Sequence, residues 1–147
     1  MKILVILSRI PYPLEKGDKL RAYHQVKELS KHHEVCLCCL SEKKPLPEAV
    51  DKLASIASEV HFFQLNRTRI FLNLFLAALG RKPFQVAYFY QNTIHRKIRD
   101  RIQAFSPDHI FCQLVRTTEY AKNVHNIPKT LDYQDAFSKG MDRRAEK

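Results

Sequence analysis

The chain has 147 residues, the size of one ordinary domain with room for a real core, and its 45% hydrophobic and 27% charged residues are those of a soluble globular protein. Twenty-five Lys and Arg against 15 Asp and Glu give a formal charge of +10, so the expected partners are anionic: nucleic acid, phosphorylated ligands or the anionic face of a membrane. Residues 1–8 are too short and strand-like for a signal peptide, and the longest apolar run, Ile70 to Leu79, is broken by Asn73 and about half of a bilayer span, so the chain is expected in the cytoplasm or at most on a membrane surface.

The run Ile3-Leu4-Val5-Ile6-Leu7 lacks polar alternation and reads as a buried parallel strand. Ser8 and Arg9 open a loop that Pro11 and Pro13 keep extended. Gly17 is expected to permit the turn and Asp18 to cap a helix over about 18–31, with Leu20, Tyr23, Val26 and Leu29 at helical spacing. Strand end, loop and helix N-terminus then meet where Lys19, Arg21 and Arg9 also converge, a point that attracts anions.

A second strand is expected over 34–40, a helix from Pro47 to about Ser58, and a third strand over 60–65. Cys36 and Cys38 share one face of the second strand and Cys39 points the other way; with Cys112 they read as buried small hydrophobes in a reducing compartment. From Arg67 to Arg101 there are eight Lys or Arg and one acid, Asp100, a net +7. Within this segment residues 70–79 are apolar almost all round and stop at Gly80, and an aromatic cluster follows Pro83: Phe84, Tyr88, Phe89 and Tyr90. An amphipathic helix carries Tyr90, Ile94, Ile98 and Ile102 at four-residue steps. The segment is either a packed helix with a solvated basic face or a basic, aromatic-rich surface that sits on anionic lipid headgroups or holds a lipid-linked acceptor. A fourth strand over 109–114 leads into a helix with Glu119, Tyr120 and Val124, and a fifth strand over 129–134 opens into Asp135 and a charged tail. Alternating strands and helices with right-handed crossovers predict an α/β, Rossmann-like, doubly wound domain: a five-stranded parallel sheet in order 3-2-1-4-5 with helices on both faces.

Three separated segments carry a family resemblance. Ser8-Arg9-Ile10-Pro11-Tyr12-Pro13 with Lys16-Gly17-Asp18-Lys19-Leu20-Arg21, then Cys112-Gln113-Leu114-Val115-Arg116-Thr117, then Leu131-Asp132-Tyr133-Gln134-Asp135-Ala136-Phe137-Ser138, resemble bacterial family-4 glycosyltransferases of exopolysaccharide systems. The resemblance implies a GT-B enzyme of two Rossmann-like domains. Residues 1–147 would be its N-terminal, acceptor-side domain, and the donor domain, which would hold most of the nucleotide-sugar co-substrate, would be absent. The implied reaction moves a sugar, with retention, onto a cell-surface polysaccharide or lipid-linked acceptor; this fragment alone is expected to be inactive. It also implies peripheral membrane association, which would involve residues 67–101.

Ligands of an open parallel sheet bind beyond the carboxyl ends of its strands. The ends of strands one, four and five are expected to join Ser8, Arg9, Gly17, Asp18, Lys19 and Arg21 with Gln113, Arg116, Asp132, Gln134 and Asp135. The cations would hold phosphate while a carboxylate accepts a proton from a hydroxyl nucleophile. Asp135 stands near where the resembling enzymes often place a histidine and is the expected base. Asp132 has a structural alternative, pairing with Arg116 or Lys129. The scattered histidines show no ligand spacing, so neither metal nor cofactor is expected. No G-x-G-x-x-G or P-loop motif occurs. Glu34 and Glu42, eight apart, match a donor-half glutamate pair but fall in the wrong half. The competing reading is a non-catalytic, basic, flavodoxin-like module for nucleic acid or a partner protein; a receiver domain would need acids where Ser8 and Arg9 stand.

Overall fold

The computed structural model of the chain describes residues 1–80 and 83–133. Five strands, β1 (Lys2–Leu7), β2 (Glu34–Ser41), β3 (Glu59–Gln64), β4 (His109–Gln113) and β5 (Lys129–Asp132), form one sheet in order β3-β2-β1-β4-β5, every pair parallel. This is the expected Rossmann-like topology. β1 is central, with Leu4 opposite Cys36 on one side and Ile110 on the other. Its lack of polar alternation follows from burial on both faces. Leu4 and Ile6 enter one core layer; Ile3, Val5 and Leu7 enter the other.

Helices α1 (Gly17–Leu29) and α2 (Pro47–Ala54) close the second layer through Ala22, Val26, Ala49 and Leu53. The first layer is closed by α5 (Asn92–Phe105), whose Ile94, Ile98 and Ile102 are buried in the expected stripe, with α3 (Arg67–Leu79) and α4 (Phe84–Phe89) beside it. Burying one such isoleucine contributes about 1.5–3 kcal/mol.

The differences from expectation have local causes. α2 stops at Ala54, four residues early, because the chain turns back to the sheet and the Ser58 N–H donates to the Val35 carbonyl at 2.9 Å. α1 stops at Leu29, where the Ser30 hydroxyl and N–H both donate to the Val26 carbonyl. After β4 the chain forms a 3-10 helix, Val115–Tyr120, and not the expected α-helix. Leu114 enters it at φ 65°, ψ 151°, and the Thr117 hydroxyl lies 3.1 Å from the carbonyls of both Gln113 and Leu114, tightening the turn.

α3 packs on the core through Ile70 and half-buried Leu74, with Ala77 also buried, and leaves a broad apolar face outside. Only Ile70 and Ala77 are buried, while Phe71, Leu72, Phe75, Leu76 and Leu79 are 56–76% exposed. Phe84 at the start of α4 is exposed as well.

All four cysteines are free and buried, Cys36, Cys38 and Cys112 in one layer and Cys39 in the other. Burial pushes the Cys112 thiol up to about 11. At pH 8 a thiol of that kind is about 0.1% thiolate, the reactive form. Burial also keeps the reagent away from all four, so the native protein should leave them unmodified by Ellman's reagent at pH 8 and release four equivalents once unfolded; fast native labelling would contradict this burial.

Candidate functional site

β1 runs out into Ser8, which is buried, and Arg9. The following loop contains a cis Tyr12–Pro13 peptide, and the Tyr12 hydroxyl donates to the Glu48 carboxylate of α2. α1 starts from an extended Lys16 with no side-chain cap. Asp18 lies inside the first turn, where Oδ1 accepts the Lys19 N–H at 3.0 Å and Oδ2 accepts from Arg9 Nη1 at 3.2 Å. Asp18 is thus not the cap that the sequence suggests, since the cap position is Lys16; it accepts one N–H of the first turn and anchors Arg9.

The expectation for Gly17 is corrected. Its φ is not positive, and a Cβ built there meets nothing within 4 Å. Gly17→Ala should accordingly raise stability by about 0.4–1 kcal/mol in urea unfolding, because alanine narrows the unfolded ensemble at no steric cost. A loss of stability would show that glycine is needed there.

Asp132 closes β5 over the same corner. Its Oδ1 accepts from Arg21 Nη2 at 3.0 Å and its Oδ2 from Gln25 Nε2 at 2.9 Å. The Asp132 side chain is 10% exposed against 51% for Arg21, so the carboxylate is held while the guanidinium reaches solvent. The expected partners of Asp132, Arg116 and Lys129, are thereby replaced. Lys129 Nζ donates instead to the carbonyls of Ala121 and Val124. Gln113 is buried and its Nε2 donates to the Asp18 carbonyl at 3.3 Å, tying β4 to α1.

Arg116, from the 3-10 helix, lies over the Phe89 ring at 5.3 Å from its centroid. Burial pulls its guanidinium below the usual arginine value, the charge of Arg9 adds to this, and Asp18 opposes it. Arg9 and Arg116 thus share the field of one carboxylate, Asp18. Among the described residues Lys19 makes no ion pair. Gln134 and Asp135 lie outside the described residues.

Beside the two arginines opens a cleft of about 320 Å³, walled by Arg9, Arg116, Glu42, Phe84, Tyr88 and Phe89. The Tyr88 hydroxyl donates to Glu42 Oε1 at 2.7 Å, and that bond is the main reason the Tyr88 pKa is raised. Glu42 is not among the expected site residues, and the aromatic cluster after Pro83 is expected only as part of a basic surface for lipid or a lipid-linked acceptor and not as a wall of this cleft. A second cavity of about 340 Å³, mostly apolar, lies between α3 and α4 against Leu76, Ala77, Val86 and Ala87. The cleft at the strand ends carries the charged groups, so it is the better candidate for chemistry. Two guanidiniums there can grip a phosphate, Glu42 can accept from a hydroxyl, and the rings can pack on an apolar sugar face.

No family profile matches the sequence, and no curated protein matches it. Among solved structures, Phytolacca americana UGT2 complexed with UDP-2fluoro-glucose and pterostilbene has a similar fold, with a TM-score of 0.55 at 14% identity. The match covers 89% of this chain and 30% of that one, so the chain spans less than a third of the neighbour's length. The class so defined is a Rossmann-like unit with a glycosyltransferase-like fold. Among the described residues no helix is long and apolar enough to cross a membrane.

Proposed function

We propose that the chain is the acceptor-binding half of a retaining glycosyltransferase with two Rossmann-like domains. In this reading a second domain holds most of the nucleotide-sugar, and the acceptor is a cell-surface polysaccharide or lipid-linked sugar bearing a phosphate or diphosphate. The observation that carries it is the Arg9–Arg116 pair at the carboxyl edge of β1 and β4, opening on an aromatic cleft. The resemblance at Ser8–Arg21, Gln113–Arg116 and Asp132–Asp135 points the same way. Arg9 and Arg116 line the cleft and Lys19 and Arg21 do not, so the phosphate grip falls to Arg9 and Arg116, with Asp18 and Gln113 fixing the corner and Asp132, at the end of β5, and Gln134 after it completing the acceptor side. Asp135 is the proposed base. In the full-length enzyme, Asp135→Asn should abolish turnover while leaving acceptor affinity unchanged.

The exposed apolar side of α3 supports a resting place on anionic lipid, flanked by exposed Arg67 and Arg69. The neighbouring apolar cavity suits the first carbons of a lipid chain. Calorimetric titration with a short-chain polyprenyl-diphosphate sugar tests the acceptor reading. Arg116→Ala should weaken binding by about tenfold to a hundredfold, the worth of one charge-assisted contact. Equal binding by the variant would sink the proposal. So would preferential, steeply salt-dependent binding of duplex DNA that ignores the sugar.

A further inference from the structure

We infer that Cys36, Glu59 and His61 form a binding site for a zinc-class divalent ion, at the edge of the sheet opposite the sugar-phosphate cleft. The site follows from strand register. In the parallel β2–β3 pair Cys36 stands opposite Glu59 and Cys38 opposite His61. Side chains two apart on a strand share a face, so two neighbouring strands bring thiol, carboxylate and imidazole to one spot. Along the chain Cys36 lies more than twenty positions from Glu59 and His61, with no C-x-x-C or paired-histidine spacing to show the set. The expectation of no metal rested on that spacing alone.

The donor atoms of all three residues lie within 4.8 Å of one another. Glu59 Oε2 is 3.0 Å from His61 Nε2 and 3.9 Å from Cys36 Sγ. A tetrahedral zinc with bonds of about 2.0–2.3 Å sets its ligand atoms about 3.3–3.6 Å apart, so small side-chain adjustments close the set. One thiolate, one imidazole and one carboxylate suit zinc or cobalt and not magnesium or calcium, which take oxygen ligands.

The surroundings fit an ion that keeps one position open. Cys36 is wholly buried, whereas the side chains of Glu59 and His61 are 44% and 27% exposed, so an ion enters from solvent and retains a water. The His61 ring stacks on Phe63 at 6.4 Å between centroids, which limits its rotation. Arg101 of α5 is near enough to act electrostatically on the neighbouring Cys38. The ligated Cys36 and Glu59 together carry two negative charges, which cancel the ion's own, so Arg101 does not exclude it. β3 is one of the two edge strands and, among the described residues, pairs with β2 alone. An ion held by both would pin that edge.

Titrating the whole chain with Co2+ tests the site. One equivalent should produce a thiolate-to-cobalt charge-transfer band with the visible bands of tetrahedral cobalt, and Zn2+ should abolish them by displacement. Zn2+ should also raise the Tm by several degrees. His61→Ala and Glu59→Gln, at exposed edge positions, should each weaken Co2+ binding at least tenfold with an unchanged circular-dichroism spectrum. Cys38→Ser should retain the charge-transfer band. The assignment fails if folded wild type gives no charge-transfer band. It fails equally if the band survives His61→Ala at full affinity, or if Cys38→Ser removes it.

Discussion

Tyr120→Phe should lower stability by about 2–4 kcal/mol, a large effect for the loss of one oxygen. The Tyr120 hydroxyl donates to the Phe89 carbonyl at 2.5 Å and accepts the Gln91 N–H at 3.1 Å, with the residue almost wholly buried. Burial also raises its pKa, so the donor proton stays on the oxygen through the physiological range. Phenylalanine would leave a buried carbonyl and a buried N–H without partners, each costing about 1–3 kcal/mol. Because Phe89 carries the ring beneath Arg116, the same change should loosen the hold on Arg116 and with it the proposed phosphate grip. Urea unfolding would read the loss as a midpoint lower by about 1–2 M. Tyr88→Phe is the control: its hydroxyl bonds Glu42 at a solvent-exposed position, so it should cost under about 0.5 kcal/mol. A Tyr120→Phe midpoint equal to that of Tyr88→Phe would refute the argument.

The double variant Phe71→Asp, Phe75→Asp should reduce binding to anionic vesicles at least about a hundredfold, since each phenylalanine withdrawn from lipid forfeits about 1.5–3 kcal/mol. Both rings are among the most exposed apolar groups of α3, so folding should be nearly unaffected. The added carboxylates also oppose an anionic surface. Arg67 and Arg69 supply about 1 kcal/mol each at such a surface, so wild-type binding should weaken with salt and on zwitterionic vesicles. Co-sedimentation measures all of this. Wild type that stays in the supernatant, or a double variant that pellets equally well, would leave the apolar face without a lipid partner.

The sheet was legible because its evidence is local. Continuous apolar runs at 3–7 and 35–40 can only be strands covered on both faces, and the Ile94-Ile98-Ile102 stripe can only be a helix lying on one of those faces. At α3 hydrophobicity alone leaves two readings open, a packed helix or a lipid-facing surface; Phe71, Phe75 and Leu79 face outward while Ile70 and Ala77 are buried, and Asn73 makes a join by donating to the carbonyls of Ala87 and Tyr90. Partnerships were the least legible part. Arg21 and Asp132 are 111 residues apart, Tyr88 and Glu42 46 apart, and nothing in spacing says which acid a given cation will meet. The corner itself was foreseen, since strand ends must converge there; its internal pairing, Arg9 with Asp18 and Arg21 with Asp132, was not.

Leu114 adds a last consequence. It sits where a branched side chain is disfavoured, held by its N–H to the Asp132 carbonyl at 2.8 Å and by Thr117 on its own carbonyl. Leu114→Gly should therefore make the domain sturdier while letting Arg116 wander, so that resistance to urea rises as affinity falls. At this bend, robustness and readiness pull against each other.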